Sequence, residues 1–280
     1  MHKEIRISTC TGSFTRIGTP ELVIDSLKEA GFNCYDFTMM YPIIGFELFY
    51  NSFDYDLKAK AFRKYADEIG MICNQVHGCV PSIFKGATKE DKERLFNNIK
   101  KSIEIARILG AKYCVLHPAS DCLMEENIAF FNSLKEIAHQ NDVIIAIENM
   151  PTSSLFGKAQ DLKILLDAID DDYFKACLDI GHAEIDITGA SVSQFFDVLE
   201  DKIVCLHVHD NNKARDSHQL PFTQSIDFNE VIKSLKKHNY RGDITFEVSN
   251  FFVNMYVPLM KEALRLLYDV GEYIVNELTK

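Results

Sequence analysis

The sequence predicts one (β/α)8 barrel with a metal at the carboxyl ends of its strands, and three observations lead to this fold class. Eight short apolar runs rich in β-forming residues alternate with eight segments of helical period along the 280 residues. Four side chains that bind metals stand at the far ends of consecutive runs: Glu148, Asp179, His207 and Glu247. Their spacings of 31, 28 and 40 residues match successive strand and crossover-helix units, which need about 30 residues or more. In a barrel, these four side chains meet at one mouth.

The first four predicted strands are rich in β-branched, aromatic and cysteine side chains. They read IRIST (5–9), NCYDFT (33–38), ICNQVH (72–77) and YCVLH (113–117). Segments of helical period follow at 20–30, 56–69, 88–109 and 125–139. Gly31, Gly70 and Gly110 each follow a helical segment and precede a strand, which is typical of a glycine that caps a helix C-terminus.

The last four predicted strands are VIIAIE (143–148), KACLD (175–179), IVCLHVH (203–209) and ITFEV (244–248). The helical segments after them cover 159–169, 191–200, 228–238 and 257–278. Near-continuous apolar strands between helices indicate a parallel sheet buried on both faces, and eight such units close it. An open doubly wound sheet is the alternative, but TGSFTRIG after the first strand lacks the GxGxxG phosphate turn. No linker divides residues 1–280, so we predict a single domain.

The composition predicts an acidic, cytoplasmic protein with no nucleic-acid or membrane partner. The formal net charge is −11, and the densest basic stretches are short, such as Lys100 with Lys101, so a phosphate backbone is a disfavoured partner. No apolar run approaches the roughly 18 residues of a membrane span, and the N-terminus lacks an apolar stretch of signal-peptide length. The eight cysteines form no CxxC pair and mostly lie in or beside strands, which indicates reduced, buried thiols.

Three carboxylates and one imidazole at the strand ends form a mostly oxygen-donor set. Any one of these side chains could simply be a polar residue that caps a strand. Burying four of them together costs free energy unless a cation pairs with them. Such a set suits Mn²⁺, Mg²⁺ or Co²⁺, whereas Zn²⁺ prefers more nitrogen or sulfur. Further histidines stand at strand ends and in the loops after them: His77, His117, His182 and His218. If they reach inward, nitrogen-rich zinc sites become available, and the number of metals stays open.

The strand ends also carry motifs that resemble a known superfamily. They are IEN around Glu148, LDIGHA at 178–183, HVHDN at 207–211, DSHQLPFTQSIDF at 216–228 and TFEV at 245–248. In this order they resemble the xylose isomerase-like (β/α)8 barrels, the sugar phosphate isomerase/epimerase group that also contains metal-dependent apurinic endonucleases. The resemblance covers essentially the whole chain in strand order and is strongest from Glu148 to Glu247.

The resemblance implies a metal-dependent sugar or sugar-phosphate isomerase or epimerase that works through a cis-enediolate. Glu148, Asp179, His207 and Glu247 would hold a divalent cation (Mn²⁺, Mg²⁺, Co²⁺ or Zn²⁺), and the two glutamates would also carry the proton. His182 would reach a substrate oxygen or hydrogen-bond to Asp179. The other residues that we expect to bind substrate are His77, His117, Lys213 and Arg215, of which the last two are alternatively solvated loop charges. An additional metal would use His182, Asp216 and His218.

The endonuclease members imply a different inventory, a zinc cluster held by nine side chains. All nine have a counterpart here: His77, His117, Glu148, Asp179, His182, His207, Asp216, His218 and Glu247. Three observations favour the sugar enzyme instead. The chain is acidic, residues 38–53 form an aliphatic and aromatic loop suited to a small ligand or a neighbouring subunit, and LPFTQSIDF lacks the glycine-rich stretch of many members.

Two further alternatives share the same barrel and residues. A dehydratase acting on cyclic polyols such as an inosose uses the same first half-reaction, so the sequence hardly separates it from an isomerase. A binding protein without activity is less well supported, because both acid/base glutamates are present. The resembling families commonly form dimers or tetramers, so we expect a homodimer or homotetramer, with the 38–53 loop as a possible interface.

Overall fold

The computed structural model describes residues 5–39 and 52–280, and within them eight strands form the inner wall of the molecule. The strands are β1 (Ile7–Thr9), β2 (Cys34–Thr38), β3 (Ile72–His77), β4 (Tyr113–Leu116), β5 (Ile144–Glu148), β6 (Phe174–Asp179), β7 (Ile203–His207) and β8 (Ile244–Phe246). Each begins and ends within two residues of the strand predicted from sequence. All pairings between them are parallel, as near-continuous apolar runs require.

Eleven α-helices in the described residues surround or cap this wall. They are α1 (Pro20–Ala30), α2 (Tyr55–Glu68), α3 (Lys89–Leu109), α4 (Met124–Ser133), α5 (Lys135–Asn141), α6 (Ala159–Ile169), α7 (Ile180–Ala183), α8 (Val192–Leu199), α9 (Phe228–Lys237), α10 (Ser249–Phe252) and α11 (Val257–Thr279). Short 3-10 turns lie at Thr11–Ile17, Asp186–Thr188 and Glu200–Lys202. None of the helices within 5–39 and 52–280 is long and apolar enough to cross a membrane.

The strands close into a ring in sequence order. Strands β2 to β7 pair consecutively, and β1 pairs with β8 in the register Ile7 to Ile244. Single bridges join the two sets, from Cys10 to Asp36 on one side and from Val208 to Phe246 on the other. The predicted (β/α)8 barrel is therefore confirmed.

The helix boundaries follow local signals. Thr88 and Asp91 form a capping box at the start of α3, and Gly110 ends that helix in the left-handed region at a φ of 78°. One predicted helix, 125–139, is instead two, because the amide of Leu134 donates to Phe131 O and makes a tight turn between α4 and α5. No glycine or proline marks this break, so periodicity does not reveal it.

The barrel interior is filled in two layers that follow the period of two along each strand. The lower layer is sealed by an apolar cluster of Val115, Ala146, Cys177 and Cys205. Two residues further along β5, β6 and β7 stand Glu148, Asp179 and His207. On this side of the barrel, an apolar layer therefore lies beneath the polar mouth. The eight cysteines are all buried thiols, as predicted.

Candidate active site

The four predicted metal ligands come together at the barrel mouth. Glu148, Asp179 and His207 are the last residues of β5, β6 and β7, and Glu247 directly follows β8. One ligand atom of each lies within 4.8 Å of those of the other three. Nδ1 of His207 is 3.1 Å from Glu148 Oε1 and 3.3 Å from Glu247 Oε2. The first three side chains are fully buried and Glu247 is 4% exposed.

The donor atoms of this quartet fit a divalent cation. Oδ2 of Asp179 is buried and makes no hydrogen bond within the described residues. Oε2 of Glu148 is likewise buried and without a hydrogen bond, although Nε2 of His117 lies 3.1 Å away in unsuitable geometry. Buried carboxylate oxygens without partners are costly, and a cation between three carboxylates and an imidazole removes that cost.

Without a cation, protons on the imidazoles balance the carboxylates. Burial disfavours the charged form of Glu148, but His207 and His117 outweigh burial and hold the pKa of Glu148 well below its ordinary range. Burial also disfavours protonated His207, but Glu148 and Glu247 outweigh it and raise the pKa of His207 well above its ordinary value. A metal ion would compete with this proton for the same lone pair.

The IEN and LDIGHA motifs hold Asp179 in place. The side chain of Asn149 accepts from the amide of Asp179 at 2.7 Å and donates to its carbonyl at 3.0 Å. Oδ1 of Asp179 then caps the short helix α7 by accepting from the amide of His182 at 2.7 Å. Neighbouring strands β5 and β6 are thereby locked where their side chains meet.

A second cluster lies beside the quartet, on the side of β6 and β7. His182, His209, Asp216 and His218 each place a ligand atom within 4.8 Å of the others. Nε2 of His182 and Nε2 of His218 are 3.2 Å and 3.0 Å from Asp216 Oδ2. Sequence reasoning singled out three of the four and assigned no role to His209, although its position two residues after His207 puts both on the same face of the strand.

The predicted residues His77 and His117 lie on the other side of Glu148. Their Nε2 atoms are 3.5 Å and 3.1 Å from Glu148 Oε2 and 3.2 Å from each other. His77 also stacks on His207 with ring centroids 5.2 Å apart. All nine side chains that the sequence singled out as potential metal ligands therefore gather at this mouth.

Lys213 and Arg215 are placed differently from the other predicted substrate-binding residues. Neither is among the described residues that line the cavity. Nζ of Lys213 lies 3.8 Å from Glu184 Oε2, and Arg215 is exposed.

A cavity of about 500 Å³ opens over both clusters. This volume falls within the usual range for small-molecule sites. Its described lining is Cys10, Gly12, Ser13, Thr38, His117, Glu148, Met150, Pro151, His182, Asp216, His218, Glu247 and Ser249. Residues 40–51 of the predicted 38–53 loop lie outside the described residues.

The loop that supplies Asp216 and His218 is tied to the barrel by Asp210. This buried carboxylate accepts four backbone amides, those of Asn211, Thr223, Gln224 and Ile226, at 2.8 to 3.1 Å. The backbone of Asp210 also exchanges two hydrogen bonds with Gln219. The loop therefore has a defined shape over the mouth.

Two buried residues that sequence reasoning missed lie behind His207. Oδ1 of Asp36 accepts from the amide of His77, and its Oδ2 accepts from Nε2 of Gln75 at 2.9 Å. Nε2 of His207 lies 3.4 Å from Asp36 Oδ2 and 3.1 Å from Gln75 Nε2. A lone aspartate within the apolar strand NCYDFT was the available signal, because a buried charge needs partners.

The fold and the residues gathered at its mouth point to a known family of barrels. Residues 24–270 match the family model described as the xylose isomerase-like TIM barrel, and the chain belongs to this family.

Individual proteins match this chain at low sequence identity. The chain is 32% identical over 176 residues to an uncharacterized protein of Methanocaldococcus jannaschii, covering 60% of this chain and 67% of that protein. It is 24% identical over 182 residues to fructoselysine 3-epimerase of Escherichia coli O157:H7, covering 64% of this chain and 54% of the epimerase. The aligned stretches thus span about half to two thirds of the curated relatives.

Solved structures share the fold over almost the entire chain. A D-tagatose 3-epimerase-like protein superposes with a TM-score of 0.76 at 22% identity, covering 99% of this chain and 100% of that one. The IolI protein, solved with a bound zinc atom, superposes with a TM-score of 0.78 at 14% identity, covering 98% and 99%.

Proposed function

We propose that this protein is a divalent-metal-dependent isomerase or epimerase of a sugar or sugar phosphate. The observation that carries the proposal is the placement of Glu148 and Glu247. Both line the cavity, from β5 and from the end of β8, and both reach the same nitrogen of His207, at 3.1 Å and 3.3 Å. Two carboxylates at one cation site suit the removal and return of a proton beside a carbonyl.

The quartet would hold the cation, with Mn²⁺, Mg²⁺ or Co²⁺ favoured by its three carboxylates and Zn²⁺ also accommodated. When bound, the cation would polarise a substrate carbonyl and the neighbouring hydroxyl and so acidify the C–H bond between them. One glutamate takes this proton as a base. Return of the proton to the opposite face of the same carbon gives the epimer, and return to the adjacent carbon gives the isomer.

The second cluster supports an additional cation held by His182, Asp216 and His218. Without that ion, His182, which lines the cavity together with His117, would instead bind a substrate oxygen. His77 is fully buried and supports Glu148 from behind.

The substrate is a small polyhydroxylated molecule, in keeping with a cavity of about 500 Å³. The described lining contains no lysine or arginine, and neither does the sequence of residues 40–51. This favours a ketose without a phosphate, a class consistent with the similarity to fructoselysine 3-epimerase and to a D-tagatose 3-epimerase-like protein. Lys213 and Arg215 would bind a phosphate only if their loop closed inward.

The test is exchange of solvent deuterium into a panel of ketoses and their phosphates by metal-loaded protein. Wild type should exchange, and Glu148→Gln and Glu247→Gln should each lower the rate by about 10³-fold or more while the fold is retained. Glu136→Gln, an exposed glutamate on α5, is the matched control. Absence of exchange across the whole panel would rule out the proposal, and an ultraviolet-absorbing unsaturated product would identify a polyol dehydratase instead.

One observation favours a second candidate, a zinc-dependent apurinic endonuclease. The nine side chains that match the endonuclease inventory gather at one mouth, with neighbouring donor atoms 3.0 to 3.5 Å apart. The net charge of −11 opposes binding to DNA. Zinc-loaded protein that nicks duplex DNA at abasic sites would support this candidate, and intact DNA would exclude it.

The homodimer or homotetramer and the cytoplasmic location stay predictions. Sedimentation equilibrium of the metal-loaded protein tests the first, and cell fractionation tests the second.

A further inference from the structure

The second cluster has the dimensions of a tetrahedral metal cage. Asp216 carries both near contacts on Oδ2, at 3.2 Å from His182 and 3.0 Å from His218, and its Oδ1 lies 3.6 Å from Nε2 of His209. Ligands about 2.0–2.2 Å from a common tetrahedral centre are separated by roughly 3.3–3.6 Å. The four side chains therefore need little movement to share one ion.

The tautomers of the three imidazoles are set for coordination through Nε2. In each ring, Nδ1 faces a backbone carbonyl: that of Asn149 at 2.8 Å from His182, that of Asp210 at 3.4 Å from His209 and that of Glu247 at 2.8 Å from His218. An Nδ1–H that donates to such a carbonyl leaves a lone pair on Nε2, as in most metal-binding histidines. All three lone pairs then point into the cluster.

Two buried atoms in the cluster lack hydrogen bonds within the described residues. They are Nε2 of His209 and Oδ1 of Asp216. His209 is fully buried and stacks on His218 with centroids 4.0 Å apart. Its nearest polar neighbour, Asp179 Oδ1 at 3.0 Å, already accepts from the amide of His182.

The absence of a side chain at Gly181 leaves space for the imidazole ring of His209. A Cβ at Gly181 would lie 1.9 Å from Cε1 of His209, so any other residue there would push the imidazole away. Asn211 holds this segment by donating to the carbonyl of Gly181 at 2.7 Å.

We infer that His209 is the fourth ligand of the second cation and closes its site. This rests on the second-cation part of the proposed function. Three imidazoles and one carboxylate select Zn²⁺, and four protein ligands leave no open position for substrate. The second ion is then a fixed clamp that ties the loop carrying Asp216 and His218 to β6 and β7, while the oxygen-rich quartet keeps the exchangeable ion.

The test uses Co²⁺, whose visible spectrum reports coordination. Wild type should bind two Co²⁺ ions, one with the intense absorption of a four-coordinate site, and one equivalent of Zn²⁺ should remove that absorption. His209→Gln should lose the intense band and bind the second ion at least 10-fold more weakly. His139→Gln, on an exposed helix position, is the control and should match wild type.

The glutamine variant separates the two possible roles of His209. Its amide can donate to Asp179 as a ring N–H would, but it is a poor ligand for zinc, so an unchanged band and stoichiometry would overturn the inference. Gly181→Ala, which moves the ring without removing it, should also lose the band. A wild-type protein that binds one six-coordinate ion and exchanges deuterium overturns this inference alone, whereas one that binds no cation overturns the proposed function as well.

Discussion

Asp36 is the residue that we expect to orient His207 toward a cation. A neutral imidazole carries one N–H, so coordination through Nδ1 requires the hydrogen on Nε2. Gln75 presents its amide nitrogen there, which leaves Asp36 Oδ2, at 3.4 Å, as the acceptor. A carboxylate behind a metal-binding histidine fixes its tautomer and raises its basicity.

Replacement of Asp36 by asparagine should therefore weaken the first cation about 10–100-fold. The asparagine side chain has only one acceptor oxygen, so it cannot accept from both the amide of His77 and Nε2 of Gln75. The negative charge behind His207 is also lost. Titration with Mn²⁺ measures the affinity. Ser8→Ala is the control, because it removes a hydrogen bond of 2.8 Å to Asn74 in the barrel interior without touching His207; equal affinities for all three proteins would count against the role of Asp36.

At the residue scale, the sequence revealed the charged and metal-ligating side chains that stand at the ends of apolar strands. Glu148, Asp179, His207 and Glu247 follow apolar runs, so period and residue type were enough to group them. Asp36 and Gln75 were missed because alternation gives the face of a strand but not the partners across a barrel. His207 lies 171 residues from Asp36 and 132 from Gln75, and only the closed ring brings them together.

The loop between β7 and α9 depends on one buried carboxylate. Asp210 accepts four amides, and Asn offers only one acceptor oxygen, so Asp210→Asn leaves at least two of these donors without a partner. We expect a loss of roughly 3 kcal/mol in the free energy of unfolding, measured in urea. Amide hydrogen exchange should become faster at Thr223, Gln224 and Ile226.

Asp227→Asn provides the matched comparison in the same loop. Asp227 caps α9 by accepting from the amide of Asn229 at 3.0 Å, and asparagine caps helices equally well, so its stability should stay within about 0.5 kcal/mol of wild type. Equal losses in both variants would show that Asp210 has no special part in shaping the loop.

At the element scale, periodicity located all eight strands and the helices between them. What it missed are short elements, the turn at Thr11–Ile17 and helices α7 and α10, which contain too few residues to display a period. The break at Leu134 was also hidden, since a tight turn there changes one hydrogen bond and no residue type.

The stability of the whole metal-free molecule should depend on pH through the second cluster. Burial opposes protonation of His218, but its hydrogen bond to Asp216 and the charge of Glu247 outweigh burial and raise the pKa of His218 to about 9 from 6.5. A raised pKa in the folded state contributes stability that is complete below pH 6.5 and disappears as the pH rises through about 9. The contribution is roughly 3 kcal/mol.

Unfolding of the metal-free protein between pH 6 and pH 9.5 checks this. The stability difference between wild type and His218→Gln should shrink steadily above pH 6.5. At acid pH the same interaction is lost again, because Asp216 becomes protonated. Burial favours this protonation, but hydrogen bonds from His182 and His218 outweigh burial and lower the pKa of Asp216, so the pair breaks only at low pH. A difference that stays constant across the range would contradict the prediction.

The seam between β1 and β8 joins residues 237 positions apart, such as Thr9 and Phe246. Helix α11 covers that seam, and Gly271 lets it approach so closely that a Cβ there would lie 2.5 Å from Ile7. During translation, β1 leaves the ribosome well before its partner β8 and the covering helix α11. The nascent chain must therefore keep the edge of β1 unpaired until β8 and α11 have been made, and we expect this long-range pairing to form late in folding, with apolar surface exposed until then.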